Sequence, residues 1–270
     1  IRHYQPDKTI LVCSKDTLKV SKRLMKVLEN ETKVSILNIN PYDIANIKKY
    51  LKNHLAGVIQ QAEIIVNVTG GTKIMFYAAV LVAQELNSKV VYLKSEKNKN
   101  LLYQYRYDGN ELSPIESDII NETITIDDYL KVHIGEYRPR SKDSNDFEKT
   151  VEKILDPHVP EIKSNISFGT NTEVDLVMRF GNQVGVAEAT AGKPNKRKIE
   201  QLNLATRWET LGVYTKRFLI AAQEVEQNNR DLAEFSNVKV IELLSYDHNS
   251  GELSNEDSEK LVRDITKEFD

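Results

Sequence analysis

Two carboxylates in one apolar hairpin are the most chemically pointed feature of this chain. Asp175 lies in Glu173-Val174-Asp175-Leu176-Val177-Met178-Arg179-Phe180 and Glu188 in Gln183-Val184-Gly185-Val186-Ala187-Glu188-Ala189-Thr190. Gly181-Asn182 between them suits a two-residue hairpin turn. With that turn, cross-strand partners are residues whose numbers sum to 363, which sets Asp175 opposite Glu188. Directly opposed residues hold their Cβ atoms roughly 5 Å apart on one face. Carboxylates that close, among valine, leucine and alanine, repel each other and are costly to bury without a cation. Their chemistry suits a hard divalent ion, Mg²⁺ or Mn²⁺, bound through oxygen. The alternative, an exposed acidic pair on a sheet edge, fits poorly with the flanking Val174, Leu176, Val186 and Ala187.

A second stretch has the chemistry of an anion cradle. Ile64-Ile65-Val66 predicts a buried strand, residues 74–86 predict a helix, and Asn67-Val68-Thr69-Gly70-Gly71-Thr72-Lys73 joins them. Adjacent glycines let a ligand approach the backbone, and the free N–H groups of the following helix point at whatever binds there. Thr69 and Thr72 add hydroxyls and Lys73 a positive charge. The spacing matches neither the P-loop nor G-x-G-x-x-G, so a plain strand-to-helix turn with Thr72 as N-cap stays open. Downstream of the hairpin, Lys193-Pro194-Asn195-Lys196-Arg197-Lys198 sets four positive charges in six residues. Beside a metal site such a run suits contacts to a nucleic-acid backbone.

The elements that must position these residues divide the chain in two. Up to residue 123, strands over 9–13, 33–39, 63–68 and 89–93 alternate with helices over 18–28, 43–55 and 74–86. Alternation implies parallel crossovers in an open, doubly wound sheet, with ligands outside the carboxyl ends of the strands. The turns at 14–17, 38–42 and 69–73 then share one rim, which adds Ser14 and Thr17 to Asn67, Thr69, Gly70, Gly71, Thr72 and Lys73 as ligand-binding candidates. Residues 101–107 and the turn Asp108-Gly109-Asn110 predict an antiparallel addition at the sheet edge. Residues 124–145 predict a helical linker: Thr125 and Asp128 have capping-box spacing, His133 is expected to pack rather than react, and 136–145 lacks apolar periodicity. A second domain over 146–270 opens on a helix with Phe147, Val151, Ile154 and Leu155 on its apolar stripe and Glu148 off it. It continues through the hairpin, a helix and strand over 201–220, a strand over 237–244 and a helix over 256–269.

Composition sets the outer bounds. A chain of 270 residues, 40% hydrophobic and 29% charged, is long enough for two cored domains of ordinary globular balance. The formal net charge of −3 decides nothing about nucleic acid, so the local basic run must. Cys13 is the lone cysteine, inside a predicted strand, and excludes a disulfide framework. Neither a membrane-spanning apolar run nor a signal peptide is visible, so a cytoplasmic location is expected.

Two resemblances rest on these residues. The strand ending in Asn67-x-Thr69-Gly70-Gly71-Thr72-Lys73 resembles the CARF domains of CRISPR-associated ring nucleases and effectors, in which this turn binds cyclic oligoadenylate. Glu148 on a helix, with Asp175 and Glu188 on successive strands, resembles the PD-(D/E)xK nuclease core, in which such carboxylates hold the metals that activate water against a phosphodiester. Together they cover nearly the whole chain and resemble the CRISPR ancillary nucleases activated by cyclic tetra-adenylate. The resemblance implies an α/β protein with a Rossmann-like CARF sensor over 1–123 and a restriction-endonuclease-like domain over 146–270. It further implies a homodimer around a two-fold symmetric ligand, Mn²⁺ or Mg²⁺ on Glu148, Asp175 and Glu188, and a DNA or RNA substrate. Since the chain opens at Ile1 rather than Met, it also implies a preceding strand.

One departure bears on the chemistry. The family places lysine two residues after the glutamate, where this chain has Thr190. Residues two apart on a strand share a face, so the missing ammonium belongs beside the attacking water. Three readings stay open: Lys193 or Lys198 supplies the charge, the metals act without it, or the domain binds nucleic acid or a partner without cutting. A CARF domain that degrades its own ligand is a further alternative.

Overall fold

The computed structural model describes residues 1–57, 62–96, 99–139, 145–169 and 172–269, and the chain divides into two compact units, Ile1–Thr123 and Ile124–Asp270. Both are mixed α/β.

The first unit runs β1 (Lys8–Cys13), α1 (Leu18–Leu28), β2 (Lys33–Asn38), α2 (Ile44–Leu55), β3 (Ile65–Asn67), α3 (Lys73–Glu85), β4 (Lys89–Glu96), β5 (Lys99–Asp108) and β6 (Glu111–Ile120). Parallel pairs form between β1 and β2 and between β3 and β4, as strand–helix alternation demands. Instead of one continuous ladder, the described residues form a two-stranded sheet, β1-β2, and a four-stranded sheet, β3-β4-β5-β6. Helix α3 packs on both: Ile74, Met75 and Ala78 with Ile10, Val12, Leu37 and Ile39 at β1 and β2, and Ala79, Val80 and Ala83 with Val66, Val90, Tyr105 and Tyr107 of the larger sheet. The β5–β6 hairpin turns through Gly109 at φ +62°. β6 carries Pro114 and sits at the edge, where a missing N–H costs no ladder bond. In α1, Leu28 is buried while Val20 is 44% exposed, so only part of the helix's apolar content packs inward.

The second unit contains α4 (Ile126–His133), β7 (Tyr137–Pro139), α5 (Asp146–Leu155), β8 (Glu161–Phe168), β9 (Thr172–Phe180), β10 (Gln183–Thr190), α6 (Lys196–Ala205), β11 (Lys216–Ala221), α7 (Gln227–Phe235), β12 (Lys239–Glu242) and α8 (Asn255–Thr266). Its six strands lie in the order β12-β11-β10-β9-β8-β7. One core cluster gathers Phe147, Val151 and Leu155 of α5 with Leu261 and Ile265 of α8, and the other gathers Ile199, Leu202 and Ala205 of α6 with Ile126 and Leu130 of α4. Central strands with both faces covered are apolar without strict alternation, which is why 174–179 and 184–189 are buried throughout.

The segment expected as a helical linker is part of this unit. Ile126 and Leu130 are fully buried against Ile166, Phe168 and Val174. The Ile126 N–H donates to Glu161 Oε2 at 2.9 Å, and Arg179 Nε donates to the same oxygen at 2.9 Å. Lys163 and Tyr137 both donate to Asp127, which the Lys163 hydrogen bond above all, and then that of Tyr137, holds down at a pKa of about 2. The capping box of Thr125 and Asp128 is present, and His133 stacks on Tyr129 while its Nδ1 lies 3.2 Å from the Thr210 carbonyl. A short helix with aliphatic residues at 126 and 130 gains more by burying that stripe than by staying solvated. Residues 140–144, the rest of the expected linker, lie outside the described residues.

Gly185 on β10 has a steric reason to be glycine. A Cβ there would stand 2.8 Å from Phe269 Cζ and 3.0 Å from Phe218 Cε2. Gly185→Ala is expected to cost about 1–3 kcal/mol by overpacking, read as a lower urea midpoint. An unchanged midpoint would mean that the aromatic cluster yields freely.

Candidate active site and ligand turn

β9 and β10 pair in the register expected from the Gly181-Asn182 turn, from Gln183↔Phe180 to Ala187↔Leu176. The ladder then stops, one pair short of Asp175 and Glu188. There Asp175 Oδ2 accepts the Ala189 N–H at 2.9 Å, so a side chain replaces a backbone acceptor where the strands part. On its other side β10 keeps pairing with β11, Glu188↔Leu219 through Thr190↔Ala221, which fixes Glu188 in place. Asp175 is 1% and Glu188 0% exposed.

A cation from the chain itself reaches the pair. Lys198, in the first turn of α6, places Nζ 2.5 Å from Glu188 Oε2 and 3.4 Å from Asp175 Oδ2. Burial raises Glu188 to a pKa of about 8, with the charge of Asp175 adding to the rise and Lys198 opposing it. For Lys198, burial pulls the ammonium down, but Glu188 and Asp175 outweigh it and the net shift is upward. Metal-free, the cluster at neutral pH holds a charged lysine and a proton on Glu188, titrating as one coupled set. Glu188 Oε1 is buried without a hydrogen-bond partner.

This shift predicts a pH dependence. A folded-state value near 8, raised from the ordinary 4.5, favours the folded chain fully below the lower value and loses that advantage as pH rises through the upper one. The stability of wild type in a chelator should therefore fall relative to Glu188→Gln between about pH 5 and pH 8, measured by urea unfolding. Parallel curves for the two proteins would remove the strain assigned to Glu188.

The remaining candidates are placed as follows. Thr190 ends β10, half-buried, with its hydroxyl 3.5 Å from the Gly192 carbonyl. Lys193 is exposed and pairs with Glu226 at 2.6 Å, so it is not brought to the carboxylates. Lys196 pairs with Glu200 one turn along α6, leaving Lys198 as the member of the basic run that enters the site. Glu148 is 5% exposed, and its carboxylate accepts from Asn145 Nδ2 at 2.6 Å in a capping box at the start of α5. Among the described residues, no three histidine, cysteine or acidic side chains converge on one metal position. In this structure Glu148 serves as the capping partner of Asn145 at the start of its own helix. Lys198 had a legible signal: it falls on the stripe of α6 shared with Leu202 and Ala205, at i, i+4 and i+7.

In the first unit the turn after β3 is built by its own side chains. Asn67 Oδ1 accepts the Thr69 N–H at 2.9 Å, and Thr69 Oγ1 accepts the Leu93 N–H of β4 at 2.8 Å. Thr72 caps α3, accepting from Met75 N and donating to the Pro41 carbonyl at 2.9 Å, which ties this turn to the one after β2. Gly71 sits at φ +93°, and Gly70 has open space where a Cβ would project. The threonines therefore shape the turn, while Gly70, the helix N-terminus and exposed Lys73 face outward. Ser14 and Thr17 bond to each other, Ser14 N to Thr17 Oγ1 at 3.1 Å, and make a local turn after β1.

One α/β unit thus carries a glycine turn that opens a helix, and the other a lysine-bridged pair of buried carboxylates. Residues 2–129 match the family described as the Card1 CARF domain. No curated protein matches the chain. Among solved structures, Can2 from Sulfobacillus thermosulfidooxidans, in complex with cyclic tetra-adenylate, aligns at a TM-score of 0.73 and 15% identity over 99% of this chain and 94% of Can2. Protein VC1899 from Vibrio cholerae aligns at 0.72 and 12% identity, over 97% and 91% of the two chains. A type III CRISPR defence DNA nuclease activated by cyclic oligoadenylate aligns at 0.53 and 13% identity, over 80% of this chain and 42% of the nuclease. Residues 2–129 are therefore similar to a CARF domain, and the chain shares the α/β fold of Can2 and of VC1899.

Proposed function

We propose that this protein is a metal-dependent endonuclease of type III CRISPR defence, switched on by cyclic tetra-adenylate. The observation that carries the reading is Lys198 Nζ on the Asp175–Glu188 pair. It returns an ammonium to a site whose usual lysine position holds Thr190, and so weighs against a unit that binds without cutting.

The donor set fits a divalent ion. Two buried carboxylates converge, and one Glu188 oxygen has no partner. Asp175 and Glu188 would hold Mg²⁺ or Mn²⁺, which supplies Lewis-acid activation of water and neutralises phosphate charge. Glu188 would have to be deprotonated to hold the ion, so metal affinity should strengthen as pH rises toward 8. Lys198, bound to both carboxylates, orients them and offers positive charge to the phosphate under attack. Thr190 contributes a hydroxyl at the rim, and exposed Arg197 and Lys196 hold the strand by its backbone, without reading its bases.

In the sensor, the phosphates of the ring dock on Gly70, Gly71 and the N-terminus of α3, with Lys73 adding charge. A ring with two-fold symmetry asks for two equivalent turns, hence a homodimer, working in the cytoplasm. No described helix is long and apolar enough to cross a membrane.

The test uses supercoiled plasmid, single-stranded DNA and RNA, each in Mn²⁺ and in Mg²⁺ with cyclic tetra-adenylate present. Wild type is expected to cut at least one substrate and Asp175→Asn none. Equal cutting by the two proteins would remove the reaction from this site.

A further inference from the structure

Away from the carboxylates, a groove of about 350 Å³ opens where β11 and β12 begin. Its walls include Lys216, Arg217, Arg230 and Lys239 against Glu234 and Glu268. Two of these cations are already matched: Arg230 with Glu242 at 2.5 Å and Lys239 with Glu268 at 3.5 Å. Among the described residues, neither Lys216 nor Arg217 has a carboxylate partner within ion-pair distance.

Arg217 is the unusual member. Its Nη1 donates to the Ser236 carbonyl at 2.7 Å and reaches Asn203 Oδ1 at 3.5 Å, which pins the guanidinium between α6 and α7. Its Nε is buried and makes no hydrogen bond. Arg217 is half-buried, the carbonyl and amide that hold it are neutral, and the cavity it lines also presents Lys216. Fixed guanidinium forks and nearby ammonium groups are the usual partners of phosphate oxygens, and the volume is at the small end of ligand clefts.

We propose that this groove binds a phosphate oxyanion, held by Arg217 and Lys216, at a site separate from both the carboxylate pair and the glycine turn. The phosphate comes either from a polynucleotide backbone or from a free nucleotide. Arg217 stands two residues along β11 from Leu219, the register partner of Glu188. The site does not require cleavage: phosphate binding is measured directly, and it stands or falls whether or not the carboxylates hydrolyse anything.

The experiment is thermal unfolding and calorimetric titration of the full chain with inorganic phosphate, with adenosine monophosphate and with a short single-stranded oligonucleotide, at constant ionic strength in chloride and without divalent metal. Lys73→Ala is the background throughout, to weaken the sensor turn. Inorganic phosphate is expected to raise the unfolding temperature of the second unit, and Lys216→Glu to weaken phosphate binding at least about tenfold. Arg217→Gln should abolish it; Lys216→Glu keeps the test decisive if that variant misfolds, since Lys216 makes no ion pair that folding needs. Mononucleotide binding that depends on Lys216, without a matching loss for the oligonucleotide, names a free nucleotide. The reverse names a strand. Stabilisation by phosphate no greater than by chloride, or equal stabilisation of Lys216→Glu, overturns the proposal.

Discussion

Lys198→Ala is expected to lower the cleavage rate by about 10²- to 10³-fold, the usual effect of removing one charge-stabilising donor from an active site. Lys193→Ala should cleave like wild type. The contrast comes from placement alone, since both lysines lie in one basic run, and one contacts Glu188 and Asp175 while the other pairs with Glu226. Removing Lys198 also strips the counter-charge from two buried carboxylates, a change that costs about 3–5 kcal/mol in comparable buried pairs. Lost activity must therefore be separated from lost folding. The double variant Asp175→Asn/Lys198→Met removes charge from both sides and should recover most of the stability without recovering cleavage. Single-turnover rates beside urea midpoints for wild type and the three variants decide it. A Lys198→Ala protein that folds and cuts at the wild-type rate would show that the metals act alone.

Gly71→Ala should have the second large effect, in the other unit. At φ +93° an alanine is strained, and its Cβ would lie 3.3 Å from Met75 Cβ in the first turn of α3. Relief requires the turn to move, which takes the N–H groups of Gly71 and the helix start off their aim. Affinity for cyclic tetra-adenylate is expected to fall by about a hundredfold, and Lys73→Ala, which removes one exposed charge, by about tenfold. Calorimetric titration reads both. Because the carboxylate site lies in the second unit, the urea transition of that unit should be unchanged in either variant. Wild-type affinity in Gly71→Ala would mean that the ring is held elsewhere.

Much of this was legible in the sequence, and the rest was hidden for physical reasons. The hairpin register followed from two turn residues because a two-residue turn leaves one pairing. What the register could not show is that the ladder ends before Asp175, since a side chain taking over from a backbone acceptor leaves no periodic trace. The glycine turn was plain, but which of its hydroxyls face outward was not: Thr72 and Thr69 are used within the fold, a matter of tertiary partners such as Pro41 and Leu93. β8 alternates Ile162, Ile166 and Phe168 with polar residues, a period of 2 broken only at Ser164, while α7 is mostly polar and shows no clear period of 3.6; neither was among the expected elements. Within the segment expected as a helical linker, α4 docks on the second unit through Ile126 and Leu130, with Glu161 accepting its first N–H. Lys198 was separable from Lys193 only by starting α6 at Lys196, five residues before the helix seemed to begin on apolar content.

The most direct measurement is the cleavage rate of wild type in saturating Mn²⁺, with and without cyclic tetra-adenylate, on whichever substrate it cuts. A rate at least about tenfold higher with the ligand, an activation free energy lowered by about 1.4 kcal/mol or more, and lost again in Gly71→Ala, is the predicted result. The same rate with and without ligand would contradict the account, leaving a nuclease whose CARF unit does not control it.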